Sequence, residues 1–146
     1  MKKTIIGSLT SLGLLLSIGC AQGDNAMTDK SLTPCGDKPN CVSTLDDRED
    51  FQLAPFTLAS DDVTISQIIE VALRLPGSRS GDRAKDYARI ESVSRVFRFV
   101  DDLELRIDGD NLIVRSESRV GYSDFSANRK RAEALRQSLK EAGLIL

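Results

Sequence analysis

Two helical stripes stand out in the pattern of apolar and polar positions. From Ile65 onward, apolar side chains recur at positions 68, 69, 72, 73 and 75, which is the spacing of one helix face. A second stripe of the same period runs through residues 126–142. A Pro-Gly pair follows the first stripe and a glycine follows the second, and both are helix stop signals. The pattern therefore predicts helices over about 64–75 and 126–142.

Alternation of apolar and polar side chains marks the segment between the two helices. It covers residues 96–108 and 111–119, which are separated by a Gly-Asp pair that suits a two-residue hairpin turn. In the resulting register Leu105 faces Val114, so that the apolar faces of the two strands match. A shorter strand is predicted near 87–94.

These elements predict an α+β fold. We expect a small antiparallel sheet, made of the hairpin about 96–119 and the strand near 87–94, packed against the two helices. Residues 77–86 have no apolar period and are predicted to form a polar loop. Residues 42–60 contain a proline and are predicted to be irregular or to form short extended pieces.

The first twenty residues have the layout of a secretory signal. Lys2-Lys3 supplies a positive start, a diluted apolar run extends over 5–18, and Cys20 closes it. The end of the run resembles the bacterial lipobox, in which the cysteine becomes the first mature residue and carries acyl chains such as palmitate. The alternative is an ordinary cleaved signal followed by a coincidental cysteine.

This signal divides the chain into a predicted signal peptide of the lipoprotein type (1–19), a lipidated cysteine with a flexible tether (20–34) and a single globular domain (35–146). Ala21, directly after the cysteine, resembles the outer-membrane sorting pattern. We therefore expect the protein in the cell envelope, lipid-anchored on the outer membrane and facing the periplasm.

The other two cysteines are expected to pair. Lipidation of Cys20 leaves Cys35 and Cys41, which flank turn-forming residues, in a compartment that permits disulfides. Their spacing differs from the Cys-x-x-Cys of redox sites, and the chain contains no histidine to complete a zinc set. A structural disulfide is therefore favoured over a redox or metal site.

The charge and the motifs of the sequence limit which partners and which activities can be expected. The formal charge is −2, and loss of residues 1–19, which carry two lysines and no acid, makes it −4. An acidic balance argues against nucleic acid as the partner. The sequence lacks a phosphate-binding glycine loop and a serine nucleophile motif, so no cofactor is expected and a role without catalysis is favoured. The enzymatic alternative is a hydrolase that uses paired carboxylates.

Asp101 breaks the apolar row of the predicted hairpin. A lone buried carboxylate is costly unless it is paired, so such a residue is a candidate for a site. In the predicted register Ser118 faces Asp101, and Arg119, Arg129 or the start of the second helix are candidates to neutralise it. The alternatives are a β-bulge at Asp101-Asp102 that turns both acids outward and a purely structural buried ion pair.

Residues 115–131 form the densest polar stretch of the chain. Several arginines lie near a predicted helix amino terminus, where free N–H groups favour anions. Capping by Ser123, Asp124 or Ser126, together with pairing of the arginines to nearby acids, would explain the same residues without a ligand. The candidate ligand-binding residues are Asp101, Asp102, Glu104, Arg115, Ser118, Arg119, Asp124, Asn128, Arg129 and Arg131.

Three segments resemble one family in order along the chain. They are Pro34-Cys35-Gly36 with Pro39-Asn40-Cys41-Val42-Ser43, the stretch Phe97-Arg98-Phe99-Val100-Asp101-Asp102-Leu103-Glu104, and residues 114–124 with Asn128-Arg129-Lys130-Arg131. The family is the domain of unknown function 1499, and the resemblance covers nearly all of 34–142. It implies no activity, substrate or catalytic residue.

Two functions follow as expectations. The first is a membrane-anchored binding or accessory module for an anionic small molecule or lipid headgroup, in which the arginines are not fully paired with acids. The second is a structural or interaction protein of the envelope, with the arginines paired internally and an apolar patch exposed elsewhere. The two functions differ in whether partners within the protein fully pair four arginines, which are Arg115, Arg119, Arg129 and Arg131.

Overall fold

The fold is α+β, as predicted, with one five-stranded antiparallel sheet and two helices. A computed structural model describes residues 28–146; the predicted signal peptide and Cys20 lie outside the described residues. The elements are β1 (Cys41–Ser43), α1 (Ile65–Ala72), β2 (Ser78–Arg83), β3 (Tyr87–Val93), β4 (Val100–Asp108), β5 (Asn111–Ser118) and α2 (Ala127–Glu141).

The strand order is β1-β5-β4-β3-β2, and β4 and β5 form the predicted hairpin. Leu105 pairs with Val114, so the predicted register is confirmed. Asp101 pairs with Ser118 in the same unbroken register, which excludes the β-bulge considered for Asp101. One face of the sheet is apolar, and the other presents charged side chains.

The hairpin is shorter at its open end than the alternation predicts. β4 begins at Val100, and residues 94–99 form the turn from β3. Phe97 and Phe99, which the alternation assigned to the core row, are mostly exposed. The physical reason is the loss of the partner strand: β5 ends at Ser118, so no strand lies opposite these two phenylalanines.

Two edge strands were not predicted. Residues Ser78–Arg83 pair with β3, although their side chains are polar, and Cys41–Ser43 pair with β5. β2 is held by backbone hydrogen bonds rather than by an apolar face, whereas β1 buries Val42 in the core but has only three residues. A search for apolar periods detects neither kind of strand. The polar loop predicted for 77–86 is therefore wrong over most of its length.

Both helices pack on the apolar face of the sheet and close the core. Thr64 caps α1 through a capping box with Gln67: its hydroxyl accepts the Gln67 N–H, and the Gln67 side chain accepts the Thr64 N–H. In α2, Ala132, Leu135 and Leu139 are fully buried. Both predicted helices are confirmed, with ends one to three residues inside the predicted limits.

Cys35 and Cys41 form the predicted disulfide and fix the start of β1. Asp46 supports the same loop, since its carboxylate accepts hydrogen bonds from the Cys35 N–H and from the Arg48 guanidinium. The bonds from Arg48 outweigh burial and lower the pKa of Asp46 to about 2. The carboxylate is therefore ionised at neutral pH.

The charged face of the sheet is covered by the segment before the disulfide. Ser31 is buried, the Arg106 guanidinium donates to Asp29 and Ser31, and the Thr33 carbonyl accepts from Arg115. Residues 29–33, which belong to the described part (28–34) of the predicted tether, thus lie on the sheet. Within residues 28–146 no helix is long and apolar enough to cross a bilayer.

Candidate functional site

The predicted site residues are divided between the two faces of the sheet. Asp101 and Ser118 lie on the face that α2 covers, whereas Asp102 and Glu104 point to the charged face. Asp101 and Asp102 therefore do not converge, and the carboxylate pair that a hydrolase would need is not formed by these two residues.

Arg131 neutralises Asp101. Its Nη2 donates to Asp101 Oδ2 at 2.6 Å, and its Nη1 donates to Asn128 Oδ1 at 2.6 Å and to Ser116 Oγ at 3.1 Å. The partner is therefore at the start of the second helix, one of the predicted places, rather than Arg119 or Arg129. The pair is largely buried, and it joins β4 to α2.

Asn128 is fully buried and joins four parts of the fold. The two N–H groups of its Nδ2 are shared among three acceptors within 2.9 Å, which are the Asn40 carbonyl, Ser118 Oγ and Asp124 Oδ2. Asp124 also accepts the backbone N–H groups of Ser126 and Asn128, so it is the residue that caps α2. Because a carboxylate already occupies this helix terminus, the anion site predicted there is filled by the protein itself.

On the charged face, Arg119 pairs with two carboxylates. Its guanidinium donates to both carboxylate oxygens of Asp102, at 2.9 and 2.7 Å, and also to Glu91. These bonds raise the pKa of Arg119 above its ordinary value and lower that of Glu91. The pairing also offsets the repulsion between Asp102 and Glu117, which face each other across β4 and β5.

Arg115 and Glu104 are buried next to this group beneath residues 29–33. Arg115 donates to Glu117 Oε2 and to the Thr33 carbonyl, each at 2.9 Å. Glu104 is 2 % exposed, and its Oε2 accepts the Lys30 N–H at 2.6 Å. Burial raises the pKa of Glu104 to about 7, although the Lys30 N–H and the Arg115 charge oppose the shift.

Arg129 lies apart from the other candidates. It donates to the backbone carbonyls of Asp50 and Gln52, at 3.0 and 2.8 Å. Each of the four arginines that could have held an anion therefore has internal partners. Within residues 28–146, no group of three or more histidine, cysteine or acidic side chains is arranged to hold a metal ion.

A different feature is prominent at one end of the sheet. The β3–β4 turn (94–99) and the loop from β5 to α2 (119–126) lie side by side there, since the Arg119 N–H donates to the Val100 carbonyl. We call these two segments the aromatic end surface. They expose more than half of each of six large apolar side chains: Val96, Phe97, Phe99, Val120, Tyr122 and Phe125.

The backbone of this surface is strained. Arg98, Phe125 and Ser126 have positive φ angles, of 57°, 50° and 66°, and they are the non-glycine residues with this conformation in the described part of the chain. Such conformations are unfavourable for side chains of this size and persist only where the surrounding structure imposes them. Strain and exposed aromatic rings thus coincide in the same two segments.

The sequence pattern does not reveal this surface, because the alternation of apolar and polar residues predicts burial of Phe97 and Phe99, which are exposed. Residues 97 and 99 continue the apolar row of β4, but the register places them opposite Tyr122 and Val120, beyond the end of β5. The signal that could have revealed them is Gly121, which has a φ of 92° and lies three positions past the end of the partner strand.

Comparison with known proteins identifies a family. Residues 31–139 match the family described as protein of unknown function (DUF1499). No curated protein and no solved structure matches the chain. The matched region contains the disulfide, the whole sheet and most of α2. The chain therefore belongs to the DUF1499 family of proteins of unknown function.

Proposed function

We propose that this chain is a lipid-anchored interaction protein of the bacterial cell envelope. Cys20 carries the acyl chains, and the aromatic end surface is the surface that engages a partner. The six exposed apolar side chains of that surface carry the proposal, because soluble domains seldom leave so many large apolar groups together at one end.

The internal pairing of the arginines supports an interaction role over the binding of a small anion. Arg119 and Arg131 are paired with carboxylates, Arg115 with a carboxylate and a carbonyl, and Arg129 with carbonyls. An anion would have to displace these partners, which are already at short range. The aromatic end surface needs no such displacement.

Photo-crosslinking in the native envelope tests the proposal. A photoreactive phenylalanine analogue is placed at Phe97, at Phe125 or, as a control, at Leu146. Leu146 is 72 % exposed, against 73 % for Phe97, and it lies at the opposite end of the sheet beside Thr57 and Asn111. We expect adducts at Phe97 and Phe125 that are absent at Leu146; equal yields at all three positions would contradict the proposal.

A further inference from the structure

We infer that the partner of the aromatic end surface is the headgroup layer of an anionic bilayer, the same membrane that holds the Cys20 anchor. This inference rests on the proposed function and deepens it by naming the partner. Three independent features of the surface support it: its shape, its charge and its distance from the anchor.

The shape suits a fluid layer. Phe97 and Phe99 stack on each other, with ring centroids 5.6 Å apart, at the tip of a turn, and Phe125 is 88 % exposed on the neighbouring loop. Aromatic side chains presented in this way favour the membrane–water interface, where the ring enters the acyl boundary and the backbone stays among headgroups. A fluid layer can close around such projecting tips without a complementary groove.

The charge is complementary to anionic lipid. The turn 94–99 carries Arg95 and Arg98 and no acid, and both arginines are exposed. Neither forms an ion pair with any residue from 28 to 146, whereas Arg119, just past the end of β5, and Arg131, on α2, do. In a domain that is acidic overall, two unpaired cations beside stacked aromatic rings are suited to phosphate-bearing headgroups.

The anchor reaches far enough. Eight positions separate Cys20 from Thr28, and they span at most about 29 Å when extended. Asp29 contacts Arg106, which lies six positions along β4 from Val100, or about 20 Å. The link is therefore long enough for the acyl chains and the aromatic end surface to engage one bilayer together.

Acidic residues on one side of the aromatic end surface determine how the domain is oriented on the bilayer. Asp37, Glu49 and Asp50 line a groove next to Phe125, on the β1 side, and anionic headgroups repel them. The turn 94–99 lies on the other side of the end, between β3 and β4. Docking therefore inserts Phe97 more deeply than Phe125.

Tryptophan fluorescence tests this docking, because the chain contains no tryptophan. The acylated protein with Phe97→Trp, Phe125→Trp or Leu146→Trp is reconstituted into vesicles of phosphatidylethanolamine and phosphatidylglycerol that contain a brominated lipid. Since the acyl chains hold every variant on the vesicle, quenching reports docking alone. We expect quenching at least twofold greater for Phe97→Trp than for Leu146→Trp, with Phe125→Trp between them.

Charge reversal and lipid composition sharpen the test. Arg95→Glu with Arg98→Glu, added to Phe97→Trp, is expected to reduce quenching to the Leu146→Trp level, whereas Lys140→Glu, an exposed reversal at the far end of α2, is not. Replacing phosphatidylglycerol by phosphatidylcholine is expected to have the effect of the double reversal. Circular dichroism verifies that each variant is folded.

Equal quenching of Phe97→Trp and Leu146→Trp would overturn the inference. If photo-crosslinking at Phe97 then yields a protein adduct in the envelope, the partner is a protein. The proposed interaction function is then kept, and only the bilayer is rejected as the partner. If crosslinking at Phe97 does not exceed that at Leu146, the proposed function fails as well.

Discussion

At the scale of single residues, the polar side chains singled out by the sequence have hydrogen-bond partners within the protein. Asp101 with Arg131 and Asp102 with Arg119 are pairs that join strands to one another or to α2. Residue types alone could not separate this outcome from ligand binding, because the same arginines suit both. The deciding information is the distance between atoms, which sequence patterns do not contain.

Removal of the Asp101 carboxylate is predicted to destabilise the protein. Asp101→Asn leaves the largely buried Arg131 without its charge partner, and the free energy of unfolding is expected to fall by about 2 kcal/mol. Arg129→Gln is the matched control, since Arg129 contacts only carbonyls at the surface, and its effect is expected to stay below about 1 kcal/mol. Urea unfolding at pH 7 measures both, and equal effects would contradict the assignment.

Glu104 is predicted to make stability depend on pH near neutrality. Its pKa of about 7 in the folded state exceeds the ordinary 4.5, so the folded protein binds this proton more tightly than the unfolded chain. The contribution of Glu104 to the stability of the protein is therefore full below pH 4.5, and it is lost as the pH rises through 7. The lowered pKa of Asp46 acts in the opposite direction, but its contribution is complete above pH 3.8 and does not change in this window.

Glu104→Gln tests this pH dependence. It removes the carboxyl group that titrates but keeps the hydrogen bond, because the amide oxygen can still accept the Lys30 N–H. Between pH 5 and pH 8 the wild-type protein is expected to lose about 2 to 3 kcal/mol of stability through this residue, and the variant is expected to lack that loss. Urea unfolding at the two pH values measures the difference. Parallel pH profiles for the two proteins would show that Glu104 does not titrate in this range.

At the scale of elements, the sequence predicted those parts of the fold that have an apolar period. Both helices and the β4–β5 register follow from such periods, because one face of each element is buried against the core. The strands β1 and β2 could not be predicted from an apolar period, since β1 has three residues and β2 is polar. The start of β4 was wrong for a related reason: the period continues past the point where the partner strand ends.

The turn into β2 is predicted to depend on a glycine. A Cβ on Gly77 would lie 2.4 Å from the Val93 carbonyl oxygen, and its φ is 75°. Gly109, in the β4–β5 turn, is the matched control: its φ is 54°, but a Cβ there would meet no atom within 4 Å. Gly109→Ala is therefore expected to cost about 1 kcal/mol, and Gly77→Ala a further 1 to 3 kcal/mol from the clash.

Thermal unfolding of Gly77→Ala and Gly109→Ala, with the wild type as reference, tests this contrast. The larger drop in melting temperature is expected for Gly77→Ala. Equal drops would mean that the β2–β3 edge yields to the added methyl group without loss of stability.

At the scale of the whole molecule, the two ends of the sheet differ in character. One end carries the strained and exposed aromatic loops, and the other carries the β4–β5 turn and the chain terminus. The charged face between them is covered by residues 29–33, which lead back toward Cys20. Under the proposed function, the apolar end is the part of the domain that lies beside the membrane.

The mass of the mature protein, extracted from membranes and measured intact, tests this account most directly. We predict a chain that begins at Cys20, carries three acyl chains and contains the Cys35–Cys41 disulfide. We also predict that Cys20→Ser abolishes the acylation and, with unprocessed signal excluded, moves the protein out of the membrane fraction. An unacylated mature chain that remains in the membrane fraction would contradict the account.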